Sequence, residues 1–167
     1  MEPKGPAQVA SPAGDRVVAL STQLAQAHQE LRRRVREIRS GITRRDVGHD
    51  ALVTHCLAFC AALTSHHRGE DAGMFAELLG ERPDLAPTIA KLVEDHGLIT
   101  SILSRVAELA GSPGGTPEEI GRELDGLTAI MESHFAYEER VLGEALDRGV
   151  ADTGWADPVF RFRDHVG

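Results

Sequence analysis

Apolar residues recur at intervals of three and four along most of the chain, the repeat of one face of an α-helix. Residues 40–41, 80–87 and 111–117 are rich in helix breakers and divide this repeat into four long segments. The first, over about residues 15–40, carries Val17, Leu20, Leu24, His28, Leu31, Val35 and Ile38. The second, over about 47–79, carries Leu52, Cys56, Phe59, Leu63, His66, Glu70, Met74 and Leu78. Along the third, about 84–110, the stripe is Leu85, Ile89, Leu92, His96, Ile99, Leu103 and Val106, with Pro87 in the first turn, where a missing N–H is tolerated. The fourth, about 117–147, presents Ile120, Leu124, Leu127, Met131, His134, Glu138, Val141 and Ala145, and Thr116 before Pro117-Glu118-Glu119 reads as its N-cap. Connections this short make successive helices antiparallel neighbours, so the predicted fold is all-α, an up-down-up-down four-helix bundle over 15–149. A flexible Pro/Gly-rich tail, 1–14, precedes it. Residues 150–167, with the only Trp at 155 and Phe160 and Phe162, form a short C-terminal extension, read equally as a cap over one end or as a mobile segment.

Composition agrees with helices: aromatic residues are only 4% of the 167, too few for a typical β-sandwich or barrel. A net charge of −8 argues against nucleic acid or an anionic membrane as partner, because both demand basic surface. The longest apolar run, 56–63, is far short of a bilayer span, and nothing in the first fifteen residues reads as an export signal, so the expected location is the cytoplasm. Cys56 and Cys60, four apart on a helix, are expected as buried reduced thiols.

Every apolar stripe is interrupted by a histidine: His28, His66, His96 and His134. Glu70 and Glu138 each follow one of them by four residues, one turn along the same face. Ionised carboxylates in a bundle core are costly unless a cation meets them, and no Lys or Arg lies on these stripes. Imidazole with carboxylate suits iron, manganese or zinc, with iron the first choice. Six donors on four helices fit a dinuclear centre better than a four-ligand structural zinc site. The Glu-x-x-His repeat of ferritin-like sites is absent.

The segments His66-His67-Arg68-Gly69-Glu70-Asp71 and His134-Phe135-Ala136-Tyr137-Glu138-Glu139, with one histidine on each of the other helices, resemble the hemerythrin-like, or HHE cation-binding, family over about residues 15–147. The resemblance implies a di-iron centre, oxo- or hydroxo-bridged, in which His28, His66, His96 and His134 bind terminally and Glu70 and Glu138 bridge. Oxygen-carrying members have a second histidine on the third helix, where Leu92 stands here, and an acid five residues after the last histidine, where Glu139 stands. Helical pitch favours Glu138 over Glu139, since four residues turn through about 400° and five through about 500°. A frame-shifted site using His67 and Asp71 is the alternative register on the second helix, but both leave the apolar stripe and the favoured reading is a surface pair. His55 is read as a core residue or an access-channel lining, and Tyr137 as core packing or, with Glu139, as a hydrogen-bonding neighbour of the site.

The position left by Leu92 implies an open coordination site. With the likeness to a His-poor class of actinobacterial members, this points to hydrogen peroxide decomposition or peroxide-dependent nitric oxide oxidation, with small molecules as partners. The alternative is a protein that binds or senses oxygen, nitric oxide or iron without turnover.

Overall fold

A computed structural model describes residues 18–162; the predicted tail 1–14 lies outside the described residues. Helix α1 is Leu20–Arg44. Helix α2, His49–Gly69, continues through a π-helical turn, Glu70–Met74, into α3, Phe75–Glu81. A 3-10 turn, Pro83–Leu85, leads into α4, Ala86–Gly111; α5 is Pro117–Asp147, and a short α6, Ala156–Phe160, follows. The fold is all-helical, with no strand among the described residues. Helix α1 packs on α2 and α5, α4 packs on the same two, and α6 lies across α1 and α2. This arrangement is compatible with a four-helix bundle. Among the described residues, no helix is long and apolar enough to cross a membrane.

The fourth predicted helix matches α5 at both ends. Thr116 Oγ1 accepts from the Glu119 N–H at 3.2 Å while the Glu119 carboxylate accepts from the Thr116 N–H, so the first turn is closed by its own sequence. The first helix differs at both ends. Val18 and Ala19 are not helical, and Ala19 offers no capping side chain. In its place Asp147, at the end of α5, accepts from the Ser21 N–H at 2.9 Å and from Ser21 Oγ at 2.7 Å. Gly41 does not end α1 either. A Cβ there would stand 2.7 Å from Val47 Cγ2, so this glycine admits the following loop, and the helix closes at Arg45 with a left-handed φ of 57°.

The core lies in two apolar clusters with a polar layer between them. One contains Leu31, Leu63, Ile99 and Met131; the other contains Leu24, Met74, Leu92 and Leu142. On each long helix the buried polar residues fall between a member of one cluster and a member of the other: His28 between Leu24 and Leu31, Glu70 between Leu63 and Met74, His96 between Leu92 and Ile99, His134 and Glu138 between Met131 and Leu142. Leu142 is buried where the predicted stripe has Val141. Cys56 and Cys60 are buried and not in a disulfide, and loss of hydration pushes their thiols up to about 11 and about 12.

Thr116→Ala is expected to destabilise the fold by about 0.5–2 kcal/mol through loss of the capping box, read as a lower urea midpoint with an unchanged slope.

Candidate metal centre

Within the polar layer His28, His66, His67, Glu70, Asp95, His96, His134 and Glu138 are all buried. The side chains fall into two groups whose ligand atoms lie within 4.8 Å of one another: His67, Glu70, His96 and His134 in one, His28, His66, Glu70 and Glu138 in the other. Glu70 belongs to both. Its Oε1 is 3.1 Å from His96 Nε2 and its Oε2 is 3.4 Å from His66 Nε2, one oxygen turned to each group.

The six residues predicted from the stripes are therefore brought together. His67 is a correction. It is 3% exposed rather than on the surface, and its ring lies over His96 at a centroid distance of 3.7 Å. Consecutive residues on an ideal helix differ by about 100°, with Glu70 about 40° from His66 and so between the two rings. A centre of two adjacent groups is met from one helix by both histidines. The π turn that begins at Glu70 is a local widening of a kind frequent at functional sites. Leu92, read as the position of a missing ligand, is buried in the apolar cluster, and His67 supplies the third imidazole of that group instead.

Four of the imidazoles are held from behind. His28 Nδ1–H donates to Glu139 at 2.7 Å, His96 Nδ1–H to Asp71 at 2.7 Å, His134 Nδ1–H to Asp95 at 3.2 Å, and His66 Nδ1–H to the Val159 carbonyl at 2.7 Å. These partners set the tautomer and leave Nε2 as a lone pair aimed inward. Asp95 is itself bridged to Lys91 at 2.5 Å, and Arg32 lies 3.7 Å from Glu139. Asp71 thus turns from His67 to His96. Glu139 acts as predicted, as a neighbour of the site, whereas Tyr137 packs in the apolar cluster beneath Arg140. His55 is exposed, neither core nor part of the centre. Asp95 and Val159 were not anticipated. The acid preceding His96 offered a signal for Asp95; a backbone carbonyl 93 residues from His66 offered none.

The arrangement is unsatisfied without a cation. His96 Nε2 and His134 Nε2 stand 3.0 Å apart, and with both Nδ1 atoms protonated the contact sets lone pair against lone pair. His28 Nε2 is 2.9 Å from Glu138 Oε1 but poorly aligned for a hydrogen bond. Among the described residues, the buried side-chain nitrogens and oxygens without a hydrogen-bond partner all belong to His28, His66, His67, Glu70 and Glu138. Each such atom costs about 1–3 kcal/mol. A pair of cations between the two groups would engage all five side chains, and the set of imidazole and carboxylate, with no thiolate, fits such ions.

Metal-free electrostatics carry the same strain. Burial, then the charge of Glu138, pushes the Glu70 carboxyl well above the usual range. Burial also acts on Glu138, but its close approach to His28 and Glu70 outweighs it and keeps that carboxylate ionised. For His28 burial is likewise outweighed, by Glu138 and Glu139, and its pKa rises. His66 is lowered to about 3 by burial and by the charge of His28, and His67 and His134 are lowered chiefly by burial.

The fold and these two donor groups define a helical protein with a buried cation-binding centre. The model of the Hemerythrin HHE cation binding domain matches residues 19–146, and the chain belongs to that family. No curated protein and no solved structure matches.

Two outcomes follow from this electrostatic balance. Metal-free His66 binds no proton between about pH 3 and 6.5 while the unfolded chain does, so its contribution to stability is full above pH 6.5 and is lost on acidification towards pH 3. Glu70 has the opposite sign: protonated when folded and ionised when unfolded, it favours the fold below its raised pKa and loses that contribution as pH rises through it. Glu70→Gln, a mimic of the protonated acid, is therefore expected to raise the metal-free Tm at alkaline pH by a few degrees, while abolishing the Tm increase that metal gives the natural chain. Thermal melts at several pH values, with and without metal, check both. A second series compares His67→Ala, expected to lose metal from the group it shares with His96, with Tyr137→Phe, expected to retain the full complement by elemental analysis.

Proposed function

We propose that the chain is a non-haem di-iron protein that acts on small oxidants, decomposing hydrogen peroxide and oxidising nitric oxide in the presence of peroxide. The observation that carries the di-iron reading is Glu70, with one oxygen facing each of two buried donor groups. The absence of thiolate from both groups favours iron over a structural zinc. An up-down-up-down bundle underlies the reading, supported by the order in which successive long helices pass from one apolar cluster to the other.

Bound iron would supply redox and Lewis-acid chemistry at the centre. The chain's own part is to hold the donors, exclude bulk water with the apolar layers on either side, and move protons. Peroxide disproportionation is balanced when one molecule gives up two electrons and two protons and leaves as oxygen, while a second takes them and becomes two waters. Asp71 and Glu139, with side chains 38% and 30% exposed, each touch solvent and an imidazole Nδ1 of the centre, so they are placed to exchange protons with water. Small neutral molecules are the partners proposed, in the cytoplasm, with no nucleic acid or membrane.

His67 favours a second reading. A fifth imidazole fills the position that Leu92 was expected to leave open, and fuller ligation leaves fewer exchangeable positions, which suits reversible binding or sensing of oxygen or nitric oxide. Iron-supplemented protein is expected to hold about two irons per chain. Added peroxide is expected to be consumed over many turnovers, beyond the rate of free iron, and nitric oxide to be oxidised when both are present. A single zinc per chain would overturn the di-iron reading. Absence of turnover, with a reversible oxygen adduct of the reduced protein, would replace the enzyme by the carrier.

A further inference from the structure

The carboxylates behind the imidazoles form a relay around the helices. Asp71, in the π turn after α2, holds His96 of α4; Asp95 of α4 holds His134 of α5; Glu139 of α5 holds His28 of α1. The step from α1 to His66 of α2 is made differently, by the Val159 carbonyl of α6. That carbonyl lies in the last turn of its helix, where a carbonyl has no intrahelical partner. Helix α6 lies across α1 and α2, and it follows residue 146, where the family match ends.

The docking is built into both partners. A Cβ on Gly69 would stand 2.8 Å from Val159 Cγ2, and one on Gly73 would overlap the Trp155 side chain, so two glycines bracketing the π turn open a notch for this segment. Trp155 and Val159 are 3% and 0% exposed. Asp152 caps the segment by accepting from the Gly154 and Ala156 N–H groups, at 2.8 and 3.2 Å. At the far end, Arg34 of α1 lies over the Phe162 ring at 5.7 Å, and that ring is 5.9 Å from His66.

We propose that residues 151–162 are a positioning strap of the metal centre: docked in the Gly69–Gly73 notch, the strap fixes His66 in the Nδ1–H tautomer through the Val159 carbonyl and presents its Nε2 to the metal. The strap adds for His66 the Nδ1 restraint that carboxylates supply for His28, His96 and His134. The inference rests on the metal-binding reading for its consequence, but its tautomer claim is independent of metal.

The test uses the full chain with Gly73→Leu, which blocks the notch, Trp155→Ala, which removes the anchor, and Trp155→Phe as the conservative rescue. Circular dichroism and the emission of the single tryptophan, where present, report folding and undocking. Histidine-labelled metal-free protein, read by long-range proton–nitrogen correlation, is expected to show His66 protonated at Nδ1 in the natural chain and in Trp155→Phe. In Gly73→Leu and Trp155→Ala that single tautomer is expected to be lost while His28 and His96 keep theirs. After loading with ferrous iron, release to excess chelator is expected to be about tenfold faster or more in the undocked variants. Undocking that leaves the His66 tautomer unchanged overturns the proposal, whether or not release accelerates, as does His66 protonated at Nε2 in the natural chain. If the natural chain takes up no iron, the metal-binding reading fails by itself, and the tautomer measurement still decides the strap.

Discussion

Five imidazoles and two carboxylates meet in the interior in an arrangement they cannot satisfy among themselves. With the Nδ1 protons of His28, His66, His96 and His134 held by carboxylates and the Val159 carbonyl, their Nε2 atoms face carboxylate oxygens and one another. A hydrogen-bonded core histidine would have one nitrogen donating and the other accepting; here His28 Nε2, His66 Nε2 and both ring nitrogens of His67 are buried without a hydrogen-bond partner. The strain is sustained by what surrounds it. Apolar clusters on both sides contribute the stability that the polar layer withdraws: α1, α4 and α5 extend past the layer into both clusters, and α2 reaches the second through the π turn and α3. A site that destabilises its own metal-free fold is a usual cost of preorganised chemistry, and here the cost is localised in the atoms a cation would engage.

Much of this organisation was legible in the sequence, and the exceptions have physical causes. Helix α5 could be bounded because its start is closed by Thr116 and Glu119, neighbours in the chain. The start of α1 could not, because its cap is Asp147, which reaches Ser21 across 126 residues. Gly41 reads as a breaker, yet its role is to make room for Val47, a contact between segments that local propensity does not record.

The six stripe residues were legible because a buried acid on an apolar face has few explanations. His67 was placed on the surface because periodicity assigns each helix a single inward direction, and two donor groups side by side require two. His66 and His67 point to separate groups with Glu70 between them, so the informative unit was the whole segment His66-His67-Arg68-Gly69-Glu70-Asp71 rather than the four-residue spacing within it. Leu92 lies in the apolar cluster, and with His67 the group of His96 has three imidazoles, while Asp71 and Glu139 stand partly exposed at the edge of the layer.

Those acids give the doublets in the sequence a division of labour. In Glu70-Asp71 and Glu138-Glu139 the first acid enters the core, while the second, about 100° further around, reaches a histidine on the neighbouring helix. In Glu94-Asp95 the second acid does the same, but the first is exposed, so α4 contributes no carboxylate to the two donor groups. Each of these helices thereby orients an imidazole of the next, so rotating or shifting one would disturb a donor side chain on another as well as its own. Geometry at the centre is for that reason a property of the helix packing as a whole. Of the four imidazoles held through Nδ1, only His66 lies outside this mutual restraint, and the chain meets the exception with a peptide carbonyl, a neutral acceptor that adds no further carboxylate to the layer.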